Sequence, residues 1–144
     1  MLIQGRCHCG NIAFALDWLP TPTAIPARAC DCSFCQKHGG VWTACADGRL
    51  RVTLNDTTRV SRYRFGTRTA EFLVCAVCGV PPVALSDIDG KPYAVVNVNC
   101  FEHVDPALVR PQPVSFGEED SVARLARRQR NWISQVEVIE GAAP

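Results

Sequence analysis

The chain has 144 residues, 47% of them hydrophobic and 20% charged, and its formal net charge is +1. That length and balance predict one domain with one core over residues 1–144, and they exclude extensive disorder and any general electrostatic pull toward nucleic acid or anionic membrane. No run approaches the ~20 apolar residues of a membrane span, and residues 1–9 lack the basic start and long apolar stretch of an export signal, so the expected location is the cytoplasm.

Taken in chain order, most of the sequence reads as short strands. Residues 11–17 alternate apolar and polar, and residues 19–26 carry Pro20, Pro22 and Pro26, which disfavour helix and central strand and so predict a surface loop. Residues 25–29 and 41–46 are short apolar strand candidates, and residues 50–54 alternate cleanly. Residues 59–65 and 69–75 are expected to pair across a turn at Gly66, and residues 83–86 and 93–97 flank the turn signal Asp89-Gly90. Asp105-Pro106 resembles a helix cap followed by proline at the first helical position, which predicts a helical turn to Arg110, with an edge strand over residues 112–116.

Residues 118–132 are the best helix candidate. Val122, Leu125, Ala126 and Trp132 are expected on its apolar face, the acids Glu118, Glu119 and Asp120 lie at its positive end, and Arg127, Arg128 and Arg130 lie at its negative end. The arginines from Arg124 to Arg130 are accordingly read as a solvated face rather than an anion site. A last strand is expected over residues 135–139, and Trp18, Trp42 and Trp132 are read as core aromatics.

The chemistry lies in the nine cysteines. Their odd number and tight C-x-C and C-x-x-C spacing favour metal over disulfides. Cys7-His8-Cys9-Gly10 and Cys75-Ala76-Val77-Cys78-Gly79 each place two thiols before a glycine that lets the backbone turn around an ion. Together Cys7, Cys9, Cys75 and Cys78 make a tetrahedral thiolate set of the kind that holds structural zinc, with iron as the main competitor. The third group, Cys30-Asp31-Cys32-Ser33-Phe34-Cys35, supplies three thiols in one run. Three protein ligands leave a position free for a thiol or water, the mark of a reactive site. His38, Cys45 or Cys100 could close that position and make the site structural. Cys45, in an apolar run, also reads as a small buried hydrophobe, His8 as pointing away from the metal and His103 as a surface residue.

Gly5-Arg6-Cys7-His8-Cys9-Gly10 followed by Ile12 and Phe14, the run from Cys30 to Lys37, the run from Phe72 to Gly79, and Asn97-Val98-Asn99-Cys100-Phe101 together resemble the glutathione-dependent formaldehyde-activating enzyme family, which includes centromere protein V. The resemblance implies a mainly β fold of several small coiled antiparallel sheets around zinc, here with a C-terminal helix. It implies two zinc ions, one on Cys7, Cys9, Cys75 and Cys78 and one on Cys30, Cys32 and Cys35. It further implies carbon-sulfur lyase chemistry, in which glutathione and formaldehyde combine to S-hydroxymethylglutathione. Two departures stand out: Asp31 where that family often carries histidine, and Val80-Pro81-Pro82 after the second cysteine pair.

The expected enzyme binds a glutathione-like thiol at the zinc of Cys30, Cys32 and Cys35, which are then its catalytic residues, and adds it to a small aldehyde. Arg28 and Lys37 flank that cysteine run and are candidates for holding the thiol's carboxylates. The other reading is a non-catalytic zinc-stabilised thiol carrier or protein-binding module.

Overall fold

A computed structural model describes residues 1–141; the last three residues of the expected 1–144 domain lie outside the described residues. In chain order the elements are β1 Leu2–Arg6, β2 Ile12–Asp17, β3 Ile25–Cys30, α1 Ser33–His38, β4 Trp42–Thr43, β5 Arg49–Leu54, β6 Val60–Tyr63, β7 Glu71–Cys75, β8 Val83–Ile88, β9 Lys91–Asn97, β10 Phe101–Glu102, β11 Val109–Val114, α2 Ser121–Asn131 and β12 Gln135–Glu140. The fold is mainly β, with two sheets and a short C-terminal helix. One sheet has five strands in the order β10-β1-β2-β5-β12, and the other has seven in the order β11-β3-β4-β9-β8-β7-β6. Most neighbours are antiparallel, but β11 runs parallel to β3 and β12 parallel to β5.

Local sequence explains the register. β5 buries Leu50, Val52 and Leu54 on one face, and β2 buries Ile12, Phe14 and Leu16, so the two pair with their apolar sets on the same side. On β1, Gly5 stands opposite Phe14, and a Cβ at Gly5 would overlap the Phe14 ring. The missing side chain is the space the ring occupies. Asp89 and Gly90 both have positive φ, 54° and 80°, the backbone of a type I′ hairpin turn, and they join β8 to β9 with Ile88 opposite Lys91. β6 and β7 pair as expected from Val60 opposite Cys75 to Tyr63 opposite Phe72.

Five expectations change. Residues 41–46 hold only the two-residue β4, because the chain leaves the sheet for the turn around Cys45 and Gly48. The helical turn after Asp105 is a single 3-10 turn, Pro106–Leu108, and strand begins at once, so the edge strand is β11 rather than residues 112–116. Pro111 and Pro113 are tolerated there because β11 is the outermost strand of its sheet. The last helix starts at Ser121, capped by the Asp120 carboxylate, which accepts from the Ala123 N–H at 2.7 Å. Val122, expected on its apolar face, is 80% exposed.

Two apolar clusters fill the interior. The larger contains Ile3, Ile12, Leu16, Leu54, Leu73, Val83, Val96 and Ile133 together with Cys7, Cys75 and Cys100. The smaller contains Trp42, Ala84, Ile88, Tyr93, Val95 and Trp132 together with Cys35, and Cys30 and Cys32 pack against it. Each metal-binding candidate therefore sits at the edge of a different cluster.

Candidate metal centres and cavity

Cys7 and Cys9 lie in the turn between β1 and β2, Cys75 ends β7, and Cys78 lies in the turn that follows. Their sulfur atoms all fall within 4.8 Å of one another, with Cys7 to Cys9 at 3.8 Å and Cys9 to Cys75 at 3.5 Å. A tetrahedral ion with Zn–S bonds of ~2.3 Å has sulfur-sulfur edges of about 3.8 Å, so the donor set fits zinc. Backbone N–H groups point at the sulfurs, Ile12 to Cys7 at 3.3 Å and Cys78 to Cys75 at 3.5 Å. The turns close through Gly10 and Gly79, whose φ angles of 85° and 81° suit glycine. Burial pushes the Cys7 thiol up to about 12. For Cys78 burial acts the same way, but N–H groups of Cys9 and Val80 and the neighbouring thiols outweigh it and bring it down to about 6. Because Cys7 and Cys9 belong to one sheet and Cys75 and Cys78 to the other, an ion here would clamp the two sheets together.

The second group is local. Cys30 ends β3, Cys32 caps α1 with its sulfur, and Cys35 lies in α1. The three sulfurs are again within 4.8 Å of one another. The N–H of Cys32 points to the Cys30 sulfur at 3.5 Å and that of Cys35 to the Cys32 sulfur at 3.4 Å. The hydrogen bond from the Cys35 thiol brings Cys30 down to about 6, and the same bond, with burial, drives Cys35 upward.

Among the described residues the second group has these three ligands alone. The His38 ring packs against Phe34 at 4.4 Å and Trp42 at 6.1 Å, and burial holds its pKa down. Cys45 is buried and donates to the Leu19 carbonyl at 3.2 Å. Cys100 is buried in the larger cluster, which pushes its thiol up to about 12. His8 and His103 are exposed.

What the three thiols meet instead is a cavity of about 200 Å³. Cys30, Asp31, Cys32 and Cys35 line it on one side, and Trp42, Phe65, Phe72, Phe116 and Trp132 supply apolar wall. Trp42 and Trp132, 5% and 7% exposed, are thus core and cavity wall at once. Arg28, opposite Trp42 in the sheet, lines the cavity, and its pKa is held down by burial and by Arg127. Lys37 is exposed on α1 and is not among the lining residues.

Three of the four α2 arginines overturn the expectation of a solvated face, while Arg130 is exposed. Arg124, Arg127 and Arg128 all line the cavity. Glu119 takes Arg127 through bonds of 2.8 and 3.1 Å and lies 3.6 Å from Arg124, while the Arg127 guanidinium stacks 3.6 Å from the Phe116 ring centre. Arg128 is 7% exposed, and burial followed by Arg127 and Arg124 brings it down to about 10. A signal was present in the sequence: positions 124, 127 and 128 are spaced i, i+3, i+4 and share one helix face with Trp132. Reading charge as solvent-facing concealed it.

The model of the family described as glutathione-dependent formaldehyde-activating enzyme matches residues 2–118. A crystal structure of a Rhodobacter sphaeroides protein, solved as a Northeast Structural Genomics target, is similar at 31% identity with a TM-score of 0.52, over 72% of this chain and 92% of that one. No curated protein matches. The family match stops short of α2, so the three cavity arginines of that helix lie outside it.

Proposed function

Since the chain belongs to the glutathione-dependent formaldehyde-activating enzyme family, we propose that it is a two-zinc carbon-sulfur lyase-type enzyme that joins a glutathione-like thiol to a small aldehyde. The observation that carries this reading is the contrast between the cysteine groups: four sulfurs close one site between the sheets, while three sulfurs open onto a cavity. A zinc ion in the three-sulfur site would supply acidification of a thiol, holding it as thiolate at neutral pH.

The chain's own residues set the rest of the environment. Cys30, Cys32 and Cys35 provide the donor set, and backbone N–H groups of Cys32 and Cys35 aim at two of its sulfurs and offset their negative charge. The aromatic walls give the sulfurs apolar surroundings in which charge interactions are stronger than in water. Arg28 places a cation beside the cysteine run where a carboxylate of the thiol can be held. Lys37, facing solvent, has no comparable position. The cytoplasm, which keeps thiols reduced, suits a chain whose nine cysteines form no disulfide among the described residues.

The test is exchange NMR of the glutathione-formaldehyde equilibrium, because the uncatalysed addition is itself fast. Wild type should speed exchange and Cys32→Ser should not. Ionisation alone supplies at most roughly 2 kcal/mol, since a thiol of pKa near 8.5 is already a few per cent thiolate at pH 7. Equal exchange rates for wild type and Cys32→Ser, with glutathione still binding wild type, would make the protein a thiol carrier rather than an enzyme.

A further inference from the structure

Arg128 is a buried cation without an acidic partner. It lies on the cavity wall, 7% exposed, and its two hydrogen bonds both leave from Nη1, to Thr69 Oγ1 at 2.9 Å and Ser86 Oγ at 3.1 Å. Both acceptors are neutral. Nε is buried and has no hydrogen-bond partner. The nearby acid, Glu119, is engaged by Arg127 and Arg124, and among the described residues no carboxylate forms an ion pair with Arg128. The Trp132 ring, 4.9 Å from the guanidinium carbon, adds only a quadrupole. A guanidinium stays charged in proteins, so burying one without a counter-charge is costly.

Ser86 and Thr69 also fix the guanidinium plane. The Ser86 hydroxyl donates to the Thr69 carbonyl at 2.8 Å and so is itself held in place. With Nη1 occupied and Nε covered by its surroundings, Nη2 is the guanidinium nitrogen left for a carboxylate. The same cavity is lined by the three thiols and by Arg28.

We propose that Arg128 is an anion-recognition residue of this cavity, additional to Arg28, and takes the carboxylate of a compact thiol acid whose sulfur is directed to Cys30, Cys32 and Cys35. The sulfur end of this assignment rests on the thiol-binding reading above; the carboxylate end does not. Because α2 lies beyond the family match, this selectivity belongs to the C-terminal helix of this chain. The cavity is smaller than the roughly 300–1,000 Å³ of sites that enclose drug-sized ligands, which favours a compact thiol acid, or one end of a longer one, as the enclosed part.

The experiment is calorimetric titration of the zinc-loaded protein with 3-mercaptopropionate, its methyl ester, its S-methyl thioether and 2-mercaptoethanol. Wild type should bind 3-mercaptopropionate about tenfold or more tightly than the ester or 2-mercaptoethanol. Arg128→Met should remove that advantage for the thiol acid and weaken the thioether acid equally, while leaving 2-mercaptoethanol unchanged. A thermal melt of unliganded Arg128→Met no lower than wild type would mark the arginine as placed for a ligand rather than for folding. Should the Met variant not fold, Arg128→Lys, which keeps the charge without the fork, must still weaken both acids. Equal binding of the acids by wild type and the folded variants, or no preference of wild type for acid over ester, overturns the proposal. If the thioether acid binds as tightly as the thiol acid and both depend on Arg128, the thiol-binding reading falls and the assignment of Arg128 stands.

Discussion

The side-chain amide of Asn97 donates to the carbonyl of Pro81 at 3.2 Å. Its oxygen accepts from the N–H groups of Asn99 at 3.1 Å and Val41 at 3.5 Å. Pro81 follows the turn that carries Cys78, and Val41 follows the helix that carries Cys35, so one side chain, 3% exposed, ties the surroundings of both cysteine groups to the end of β9. The run Val80-Pro81-Pro82 is anchored the same way, since prolines offer only carbonyls and Asn97 supplies donors from its side chain to Pro81 and from its backbone to Pro82 at 2.9 Å.

Asn97→Ala should therefore destabilise the zinc-loaded protein by on the order of 3 kcal/mol, the cost of leaving a buried carbonyl and N–H groups without partners. Urea denaturation would measure it. Chelator competition should also show faster zinc loss from both sites, where a purely local effect would touch one.

Two zinc ions per chain are expected by elemental analysis, and the two groups should respond differently to loss of a thiol. Cys78→Ser removes a clamp between sheets and should unfold the protein, because a four-thiolate zinc contributes on the order of 10 kcal/mol of folding free energy, comparable with a domain's whole stability. Cys32→Ser breaks a site confined to one short run and should leave a folded protein with one zinc. Equal losses of melting temperature, or one zinc in wild type, would contradict this division.

Gly5→Ala should cost about 1–3 kcal/mol, because the new methyl group enters the space of the Phe14 ring. Phe14 is 4% exposed and packs edge-on against Phe101 at 6.2 Å, so the ring has little room to withdraw. Restoration of stability by Phe14→Leu in the Gly5→Ala background would identify the overlap as the cause.

Glu119 gives a pH dependence with a definite sign. Hydrogen bonds from Arg127 hold its carboxyl below the ordinary 4.5. A depressed carboxylate stabilises the fold above its unfolded-state pKa, and that contribution is lost as pH falls through the folded one. The melting-temperature gap between wild type and Glu119→Gln should thus be steady from pH 7 to about 5 and close below it. The gap should correspond to on the order of 1–2 kcal/mol, since the hydrogen-bonded pair is largely covered, at 13% and 18% side-chain exposure, and is only partly screened by solvent. A gap that widens on acidification would reverse the assignment.

Much of this was legible along the chain. The β5 alternation, the Asp89-Gly90 hairpin and the pairing of β6 with β7 are local signals whose period and turn chemistry need no distant partner. The grouping of cysteines was legible because C-x-C and C-x-x-C spacing already limits how far apart the thiols can lie. The short helix α1 was missed, since its six residues carry no repeat long enough to register.

By itself the sequence determined which thiols belong together locally and which hairpin segments pair, because each rests on contacts between near neighbours, and its cysteine runs carried the family resemblance. The tertiary structure alone decided that the third cysteine group opens onto a cavity instead of closing on His38, Cys45 or Cys100, since those side chains are held elsewhere by Trp42, Leu19 and the larger core. It also decided the fate of the α2 arginines. A charged helix face is stable in water or against a cavity that shares its other wall with β3, and only the packing of α2 against β8 and beside the Phe116 loop selects the second.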